Sequence, residues 1–283
     1  MAAGKCVAAT VVAFVLTCPI ARASDAGVAA LQTALYARGL YGATVDGIPG
    51  PATTTAVRRL QARDGLAVDG VAGPATRRAL GWRGRPRLGS RPVVEGRRGW
   101  DVAELQFMLA RAGFPSGPFD GDAGPRFDAA LRRFQAWAAI GADGVAGPRT
   151  VASLQRPPPR SPLRFITPVS APIGDGFGPR GNAMHTGVDF LAGAGTPVSA
   201  AGSGCVQFTG WDDGYGQLVV IGHTLGVTTW YAHLSRIDTR RGACVAAGAR
   251  IGLVGATGRA TGPHLHFEVR LRGATSDPRF ALG

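Results

Sequence analysis

The chain has 283 residues, of which 45% are hydrophobic and 17% are charged, a composition typical of globular rather than disordered proteins. Its formal net charge is +13, and because Lys5 is the only lysine, arginine carries almost all of the positive charge. No apolar run reaches the roughly 18 residues needed to span a bilayer, which argues against a multi-pass membrane protein, whereas the charge alone leaves nucleic-acid binding open.

The first 23 residues have the pattern of an export signal. Lys5 precedes an apolar stretch from Cys6 to Cys18, and Ala21-Arg22-Ala23 then offers the small residues that a signal peptidase recognises. A buried N-terminal helix is the alternative interpretation. We predict a signal peptide at residues 1–23 and exclude it from the fold.

Removal of this segment leaves two cysteines, Cys205 and Cys244. An even number of cysteines in an exported chain permits a disulfide. The spacing does not show whether the two side chains meet, so a disulfide and two separate buried thiols both remain open.

Two copies of one module follow, at a fixed offset of 74 residues and without a gap. The matched pairs include Leu31-Gln32 with Leu105-Gln106, Gly39 with Gly113, Asp46-Gly47 with Asp120-Gly121, and Asp69-Gly70 with Asp143-Gly144. Each copy is predicted to form three short helices. In the first copy they lie around Leu31 with a stop at Gly39, from Pro51 to Asp64, and from Pro74 onward. The Asp-Gly pairs suit turns that need a positive φ.

The repeated pattern is L-Q-x-x-L, D-G-x-x-G, a Gln that closes the second helix, and D-G-x-x-G-P-x-T. It resembles the peptidoglycan-binding domain family, which has a three-helix fold. The resemblance covers residues 26–81 and 97–155 and implies peptidoglycan as a partner, with the Leu, Gln and Gly positions interpreted as setting the fold. In the second copy Ala138-Ala139-Ile140 replaces Asp64-Gly65-Leu66, and the lost glycine predicts a looser corner.

Two linkers are predicted, a basic one at residues 82–96 and a Pro-rich, extended one at residues 156–165. From Ser24 to Arg164 there are 20 Arg and 11 acidic residues, a balance of +9, and from Phe165 to Gly283 there are 9 Arg and 7 acidic residues, a balance of +2. The more basic half is expected to favour an anionic partner, so we predict an attraction to anionic wall polymers.

All five histidines lie in the last 99 residues, and this clustering indicates a site. Short runs such as Gln217 to Ile221 and Val227 to Tyr231 alternate with Gly-rich turns, so residues 166–283 are predicted to form a mainly antiparallel β domain. The predicted fold class is therefore multi-domain α plus β, with two small three-helix bundles followed by this β domain.

Two segments carry possible metal ligands at strand spacing. In the first, His185 and Asp189 would share one face of an extended strand, and Gly187 would leave room for an ion. In the second, His264, His266 and Glu268 would share a face. Catalytic zinc takes three such protein ligands and keeps one position for water, although copper or iron could use a similar set. No HExxH or G-x-S-x-G motif occurs, so metal-assisted hydrolysis is the predicted reaction class.

Four motifs in order resemble the lysostaphin-type (LytM-like) zinc metallopeptidases. They are Phe177-Gly178-Pro179-Arg180, H-x-G-x-D at 185–189, Tyr231-Ala232-His233-Leu234, and Thr261-Gly262-Pro263-His264-Leu265-His266-Phe267-Glu268. The resemblance implies one zinc ion per chain, bound by His185, Asp189 and His266. It also implies that His233 and His264 are the catalytic pair beside the water that the zinc activates, without assigning the general base.

The other polar residues of this domain fit no ligand position of the four motifs. His223 matches no ligand position and is predicted to be structural. Glu268 either orients a metal ligand or is an ordinary strand carboxylate. The Asp212-Asp213 pair and the Gly214-Tyr215-Gly216 turn are predicted to shape a loop at the rim of the cleft.

The predicted function is that of a monomeric, exported zinc endopeptidase, either secreted and wall-associated or periplasmic. It would cut the peptidoglycan stem or cross-bridge, and its two modules would tether it to the wall. A catalytically inert peptidoglycan-binding activator is the alternative, although every expected ligand is present. A nucleic-acid binder is disfavoured because the arginines are not interleaved with aromatic residues. Relatives that cut pentaglycine carry a Tyr before the first ligand, whereas residues 175–184 contain none, which disfavours a glycyl-glycine substrate.

Overall fold

The computed structural model describes residues 24–283, so the signal peptide predicted at residues 1–23 lies outside the described residues. Six helices come first: α1 (Ala26–Tyr36), α2 (Pro51–Arg63), α3 (Pro74–Ala79), α4 (Trp100–Arg111), α5 (Pro125–Trp137) and α6 (Pro148–Leu154). Four of them begin at a proline, a position where the missing N–H breaks no helical hydrogen bond. The three-helix prediction for each copy is confirmed. Within residues 24–283 no helix is long and apolar enough to cross a membrane.

A buried glutamine closes four of the Asp-Gly turns of the helical region. Gln32 Nε2 donates to Asp46 Oδ1 at 2.9 Å, and Gln32 Oε1 accepts from the Gly47 N–H at 2.8 Å. The same two hydrogen bonds recur at the other three turns, through Gln61, Gln106 and Gln135. Leaving such a buried amide without partners would cost about 1–3 kcal/mol. The prediction that the Gln and Gly positions set the fold is therefore confirmed.

The turn that lacks its glycine keeps its conformation. Ala139 has a φ of 56°, close to the 66° of Gly65 in the first copy. The next residue, Ile140, donates its N–H to Gln135 O at 3.0 Å, as Leu66 does at the equivalent position. The corner thus keeps its geometry and its hydrogen bond, although a left-handed alanine costs about 1–2 kcal/mol, and the looser corner stays a prediction.

The two helical bundles share an apolar core. Helices α1 and α4 pack together, and one buried cluster joins Leu35 and Leu60 of the first copy to Trp100, Phe107 and Phe119 of the second. A bundle of about 55 residues buries little apolar surface by itself, so the common core stabilises both copies. Residues 82–96 also pack against this region, because Val93 is fully buried and pairs with Ala146 of the second bundle.

The rest of the chain forms antiparallel sheets. The strands are β1 (Gly178–Arg180), β2 (Ala183–His185), β3 (Val188–Phe190), β4 (Pro197–Ser199), β5 (Gly204–Asp212), β6 (Gly216–Gly222), β7 (Val227–Ile237), β8 (Cys244–Val245), β9 (Arg250–Val254), β10 (Leu265–Leu271) and β11 (Ala274–Ser276). Nine of them form one sheet, with the central order β11-β10-β7-β6-β5-β8, and β3 pairs with β10. Strands β1 and β2 form a separate two-stranded sheet. The predicted antiparallel β domain is confirmed, including the runs inside β6 and β7.

A disulfide joins Cys205 of β5 to Cys244 of β8, which lie opposite one another in the sheet. Of the two alternatives that the sequence left open, the structure therefore contains the bridge. Phe165, at the end of the Pro-rich linker, is buried in the core of the β domain and pairs with Leu282.

Candidate metal centre and catalytic cleft

Three side chains from separate strands meet at one point. His185 ends β2, Asp189 lies in β3, and His266 lies in β10 directly opposite Asp189. The Oδ1 atom of Asp189 is 3.1 Å from His185 Nε2 and 2.7 Å from His266 Nδ1. The two imidazole nitrogens are 3.1 Å apart. The sequence prediction that these three residues converge is thus fulfilled by the geometry.

The outer hydrogen bonds of the His185 and His266 rings determine which nitrogen of each ring presents its lone pair to the other two residues. His185 Nδ1 is 2.7 Å from Gly176 O, and since a carbonyl oxygen only accepts, Nδ1 carries the proton and Nε2 presents a lone pair. His266 Nε2 lies 3.0 Å from Glu268 Oε1, so Nε2 donates and Nδ1 presents a lone pair. Three acceptor atoms therefore face each other at hydrogen-bonding distance, an arrangement that only a proton or a metal cation can stabilise.

The donor set fits a metal ion. The three ligand atoms lie within 4.8 Å of one another, and all three residues are buried. A tetrahedral ion with bonds of about 2.0–2.1 Å holds its ligand atoms roughly 3.3 Å apart, close to the separations seen between these three atoms. Two imidazoles and one carboxylate suit a borderline divalent ion rather than magnesium or calcium, which prefer oxygen ligands.

The electrostatics of the site also favour positive charge. Burial raises the pKa of the Asp189 carboxyl, but the hydrogen bonds with His185 and His266 outweigh it and hold the pKa far below its ordinary value. Burial lowers the pKa of His266, whereas its hydrogen bonds to Asp189 and Glu268 raise it more, to about 9. The raised pKa of His266 indicates that the carboxylates of Asp189 and Glu268 favour positive charge at this point.

Glu268 supports His266 from behind. It is fully buried, and besides His266 its carboxylate accepts from the Thr186 hydroxyl, from Tyr215 Oη at 2.8 Å and from Arg270 Nε at 2.6 Å. The guanidinium of Arg270 lies 3.6 Å from the centre of the Trp230 ring. Of the two interpretations of Glu268, the structure favours the one in which it orients a ligand. Arg270 and Thr186 were missed in the sequence, because a single arginine within a strand or a single threonine after one gives no signal of burial.

His233 and His264 lie beside the three ligands, and their ring centres are 4.7 Å apart. His233 donates from Nδ1 to Thr257 O at 2.7 Å, and His264 donates from Nδ1 to Gly262 O at 2.9 Å. Both therefore present Nε2 as an acceptor, and His264 Nε2 is 3.8 Å from Asp189 Oδ1. Burial is the main reason why the pKa of His233 is lowered, which favours its neutral form.

The backbone at His233 is strained. Its φ is +62°, a left-handed conformation inside β7, at the point where the pairing of β7 with β6 shifts register. Its N–H donates to Tyr215 O at 2.8 Å. Such a conformation costs a non-glycine residue about 1–3 kcal/mol and is found where the surrounding structure enforces it, often at functional sites. The strain turns the imidazole toward the cleft.

The first ligand segment differs from its prediction in two ways. Residues 185–189 are not one extended strand, because β2 ends at His185 and β3 starts at Val188, with a bend at Gly187 between them. Gly187 does not leave room for an ion either: a Cβ there would collide with Phe267 O of β10. The glycine is needed so that the bent segment can approach β10 closely, and this approach brings His185 to Asp189.

The second ligand segment is close to its prediction. His266 and Glu268 lie on one face of β10, while Leu265, Phe267 and Val269 are fully buried in the core. His264 lies just before the strand, paired with Gly255 through an isolated bridge.

The five residues open onto a cleft of about 1050 Å³. Arg180, Tyr215 and Arg259 also line this cleft, which confirms that the turn around Tyr215 shapes its rim. Pro115 and Gly117 of the second helical bundle form part of the wall, a contribution that the sequence analysis did not predict.

The remaining histidine lies elsewhere. His223 Nδ1 is 2.9 Å from Ser203 O and its Nε2 is 2.8 Å from Thr229 Oγ1, and the ring packs against Phe165. Both ring nitrogens are already engaged, in agreement with the predicted structural role.

Comparison with known proteins identifies both parts of the chain. Residues 183–278 match the family model described as "Peptidase family M23", and residues 24–80 and 98–154 match "Putative peptidoglycan binding domain". These matches confirm the two resemblances found in the sequence.

Individual relatives match the peptidase part. DD-carboxypeptidase/endopeptidase Mpg of Neisseria meningitidis is 50% identical over 95 residues, which cover 34% of this chain and 22% of that protein. Lysostaphin of Staphylococcus simulans is 43% identical over 101 residues, which cover 34% of this chain and 20% of that protein. The solved catalytic domain of lysostaphin superimposes with a TM-score of 0.37 at 37% identity, covering 38% of this chain and 90% of that domain. The chain thus spans only about a fifth of the length of the curated relatives.

Proposed function

Because residues 183–278 form a peptidase family M23 domain that follows two peptidoglycan-binding domains, we propose that this protein is an exported, zinc-dependent endopeptidase of the bacterial cell wall. Its reaction is the hydrolysis of a peptide bond in the stem or cross-bridge of peptidoglycan. The observation that carries this proposal is the set of three inward-facing lone pairs of His185, Asp189 and His266, with two further imidazoles beside them.

In this proposal His185 Nε2, Asp189 Oδ1 and His266 Nδ1 hold one zinc ion per chain. Bound there, zinc would supply Lewis acidity and activate a water molecule for attack on a carbonyl carbon. Outer hydrogen bonds to Gly176 and Glu268 fix the two ligand rings, so little reorganisation is required when the metal binds.

His233 and His264 move protons. Each presents Nε2 as an acceptor toward the cleft, so a neutral ring can take a proton from the attacking water and later return it to the leaving amine. General acid–base catalysis of this kind contributes roughly 10²–10⁴ in rate. The other ring, once protonated, can donate to the oxyanion of the tetrahedral species. The two rings have equivalent outer partners, so the geometry alone does not divide these roles between them.

The substrate is proposed to be a bond other than glycyl-glycine. The tyrosine that marks pentaglycine-cutting relatives is missing from residues 175–184. The relative Mpg, which is 50% identical over the matched segment, is named as a DD-carboxypeptidase/endopeptidase. Both points favour a bond within the stem peptides or between them.

The protein is proposed to act outside the cytoplasm as a monomer, either secreted and wall-associated or periplasmic. The helical bundles would hold it on peptidoglycan, and the excess of arginine before residue 165 would add a salt-sensitive attraction to anionic wall polymers.

Digestion of purified peptidoglycan by four matched variants tests the proposal. His185→Ala and Asp189→Ala should lose both stoichiometric zinc and the release of soluble fragments. His264→Ala should keep its zinc and lose turnover by about 10²-fold or more. The control is His223→Gln, which alters a histidine outside the cleft and should retain both properties.

Two outcomes would overturn the assignment. Full activity of the wild-type protein in excess chelator would exclude the metal mechanism. A wild-type protein that binds zinc and the wall but releases no fragments, while activating another wall hydrolase, would establish the inert activator instead.

A further inference from the structure

The hairpin that carries His185 is joined to the peptidase sheet only near its base, where Phe177 packs against the core and Asp175 O accepts from the Asp189 N–H at 2.9 Å. Strands β1 and β2 have three residues each and form a two-stranded sheet of their own. A hairpin of this size is at best marginally stable without further packing. On the peptidase side, Arg180 bridges to Asp175 at 2.9 Å and to Asp189 at 3.4 Å. The Arg180–Asp175 pair is exposed on both sides, and exposed ion pairs contribute little.

The helical bundles support the tip of the hairpin. The Val45 N–H of the first bundle donates to Gly181 O at 2.8 Å, and the Phe119 N–H of the second bundle donates to Asn182 O at 2.6 Å. Val45 and Phe119 are 74 residues apart, so they are equivalent positions of the repeat. The tip of the hairpin therefore lies between two equivalent turns, which donate to two successive carbonyl groups.

A side-chain contact completes this support. Met184, the residue before His185, packs against the buried cluster that the two bundles share. His185 therefore directly follows a residue that is in apolar contact with the helical region.

The second bundle is itself fixed to the main sheet. Thr275 of β11 donates its N–H to Gly113 O at 3.0 Å, and Trp137 Nε1 donates to Leu271 O of β10 at 3.2 Å. Ala274 is fully buried in the core of that bundle. The chain of contacts therefore runs from the main sheet, which carries Asp189 and His266, through the second bundle to the hairpin that carries His185.

From these contacts we propose that the two helical bundles are positioning elements of the metal centre, because they hold the β1–β2 hairpin and so place His185 against Asp189 and His266. This inference rests on the proposed function, since it takes those three residues as the metal ligands. It adds a role in metal binding to domains whose family match concerns peptidoglycan.

The repeat provides a matched pair of substitutions that tests the proposal in the full-length protein. Gly113 has a φ of +89°, and a Cβ there would lie 2.5 Å from Thr275 O and 2.8 Å from Thr275 N, so Gly113→Ala must displace the bundle from β11. Gly39 occupies the equivalent position in the first bundle, with a φ of +69° and no atom within 4 Å of the added Cβ. Gly39→Ala therefore reproduces the backbone strain without the collision.

Two measurements are made on each variant: the zinc dissociation constant by competition with a chelating dye, and hydrogen–deuterium exchange of the segments that contain Val45 and Phe119. In Gly113→Ala the Phe119 amide should lose protection and the zinc dissociation constant should rise about 10- to 100-fold, the range for loss of groups that orient metal ligands. Gly39→Ala should leave both values unchanged. If the Phe119 amide stays protected in Gly113→Ala, the pair Gly113→Leu and Gly39→Leu increases the collision and is judged by the same criteria.

Loss of Phe119 protection with unchanged zinc affinity would refute the positioning role. Equal weakening of zinc binding in the Gly39 and Gly113 variants would refute it as well, since the effect would then arise from general destabilisation. A wild-type protein that binds no zinc would instead overturn the proposed function, so the two failures are distinguishable.

Discussion

Substitution of Glu268 by glutamine tests whether the buried Glu268–Arg270 ion pair stabilises the fold and the candidate metal centre. Glu268 is fully buried, and its carboxylate accepts from His266, Tyr215 and Arg270. Glu268→Gln keeps the shape but removes the charge, which leaves the Arg270 guanidinium buried without its counter-ion. Breaking a buried pair by removing one partner costs about 3–5 kcal/mol, a large share of the roughly 5–15 kcal/mol by which proteins are stable.

The metal affinity should fall as well. The glutamine amide can donate hydrogen bonds where the carboxylate only accepted, so His266 loses part of the acceptor that fixes its ring. A loss of this kind weakens metal binding by about 10- to 100-fold. Urea unfolding of the metal-free protein, followed by tryptophan fluorescence, gives the change in stability, and a dye competition gives the zinc dissociation constant.

The control for this experiment is an ion pair at the surface. Asp238 pairs with Arg236 at 2.6 Å and with Arg250 at 3.0 Å, and both arginines are more than half exposed. Asp238→Asn should therefore change stability little and zinc affinity not at all. If Glu268→Gln unfolded at the same urea concentration as Asp238→Asn and bound zinc like the wild type, the argument that Glu268 supports the site would be refuted.

Three further substitutions have defined outcomes. Gly187→Ala should destabilise the protein by about 1–3 kcal/mol and weaken zinc binding, because the added Cβ collides with the backbone of β10; an intact zinc affinity would contradict the close-approach argument. Burial raises the pKa of Glu104 in the helical core, so the folded state favours the protonated acid and its stability falls as pH rises through that pKa; Glu104→Gln should melt higher than the wild type at pH 8 and no higher at pH 4. Replacement of both Cys205 and Cys244 by serine opens a bridge across 39 positions and should lower the free energy of unfolding by about 4 kcal/mol, measured by urea titration without reductant.

The residues proposed as metal ligands and as the catalytic pair could be singled out in the sequence because their signal is local. His264, His266 and Glu268 alternate with Leu265 and Phe267, a pattern that places the polar side chains on one face of a strand. The helices could be predicted equally well, because a repeat without gaps, prolines at helix starts and glycines after helix ends mark their bounds.

Other features depend on contacts that no local pattern encodes. Thr275 and Gly113 are 162 residues apart, and nothing in either segment indicates that they meet. Gly187 was interpreted as space for an ion because glycine is small, whereas its actual neighbour is the backbone of β10. Arg270 follows an alternating strand pattern in which an arginine normally points to solvent, and only the burial of Glu268 explains its inward position.

The glutamine-closed turns also affect the chemical degradation of the chain. An Asp-Gly sequence is chemically fragile, because the glycine nitrogen can attack the aspartate side-chain carbonyl and form a succinimide. At all four turns that nitrogen donates to a glutamine Oε1, and the carboxylate is held by the same glutamine's amide. Folding therefore protects these four peptide units, and isoaspartate at them should accumulate only in molecules that have spent time unfolded.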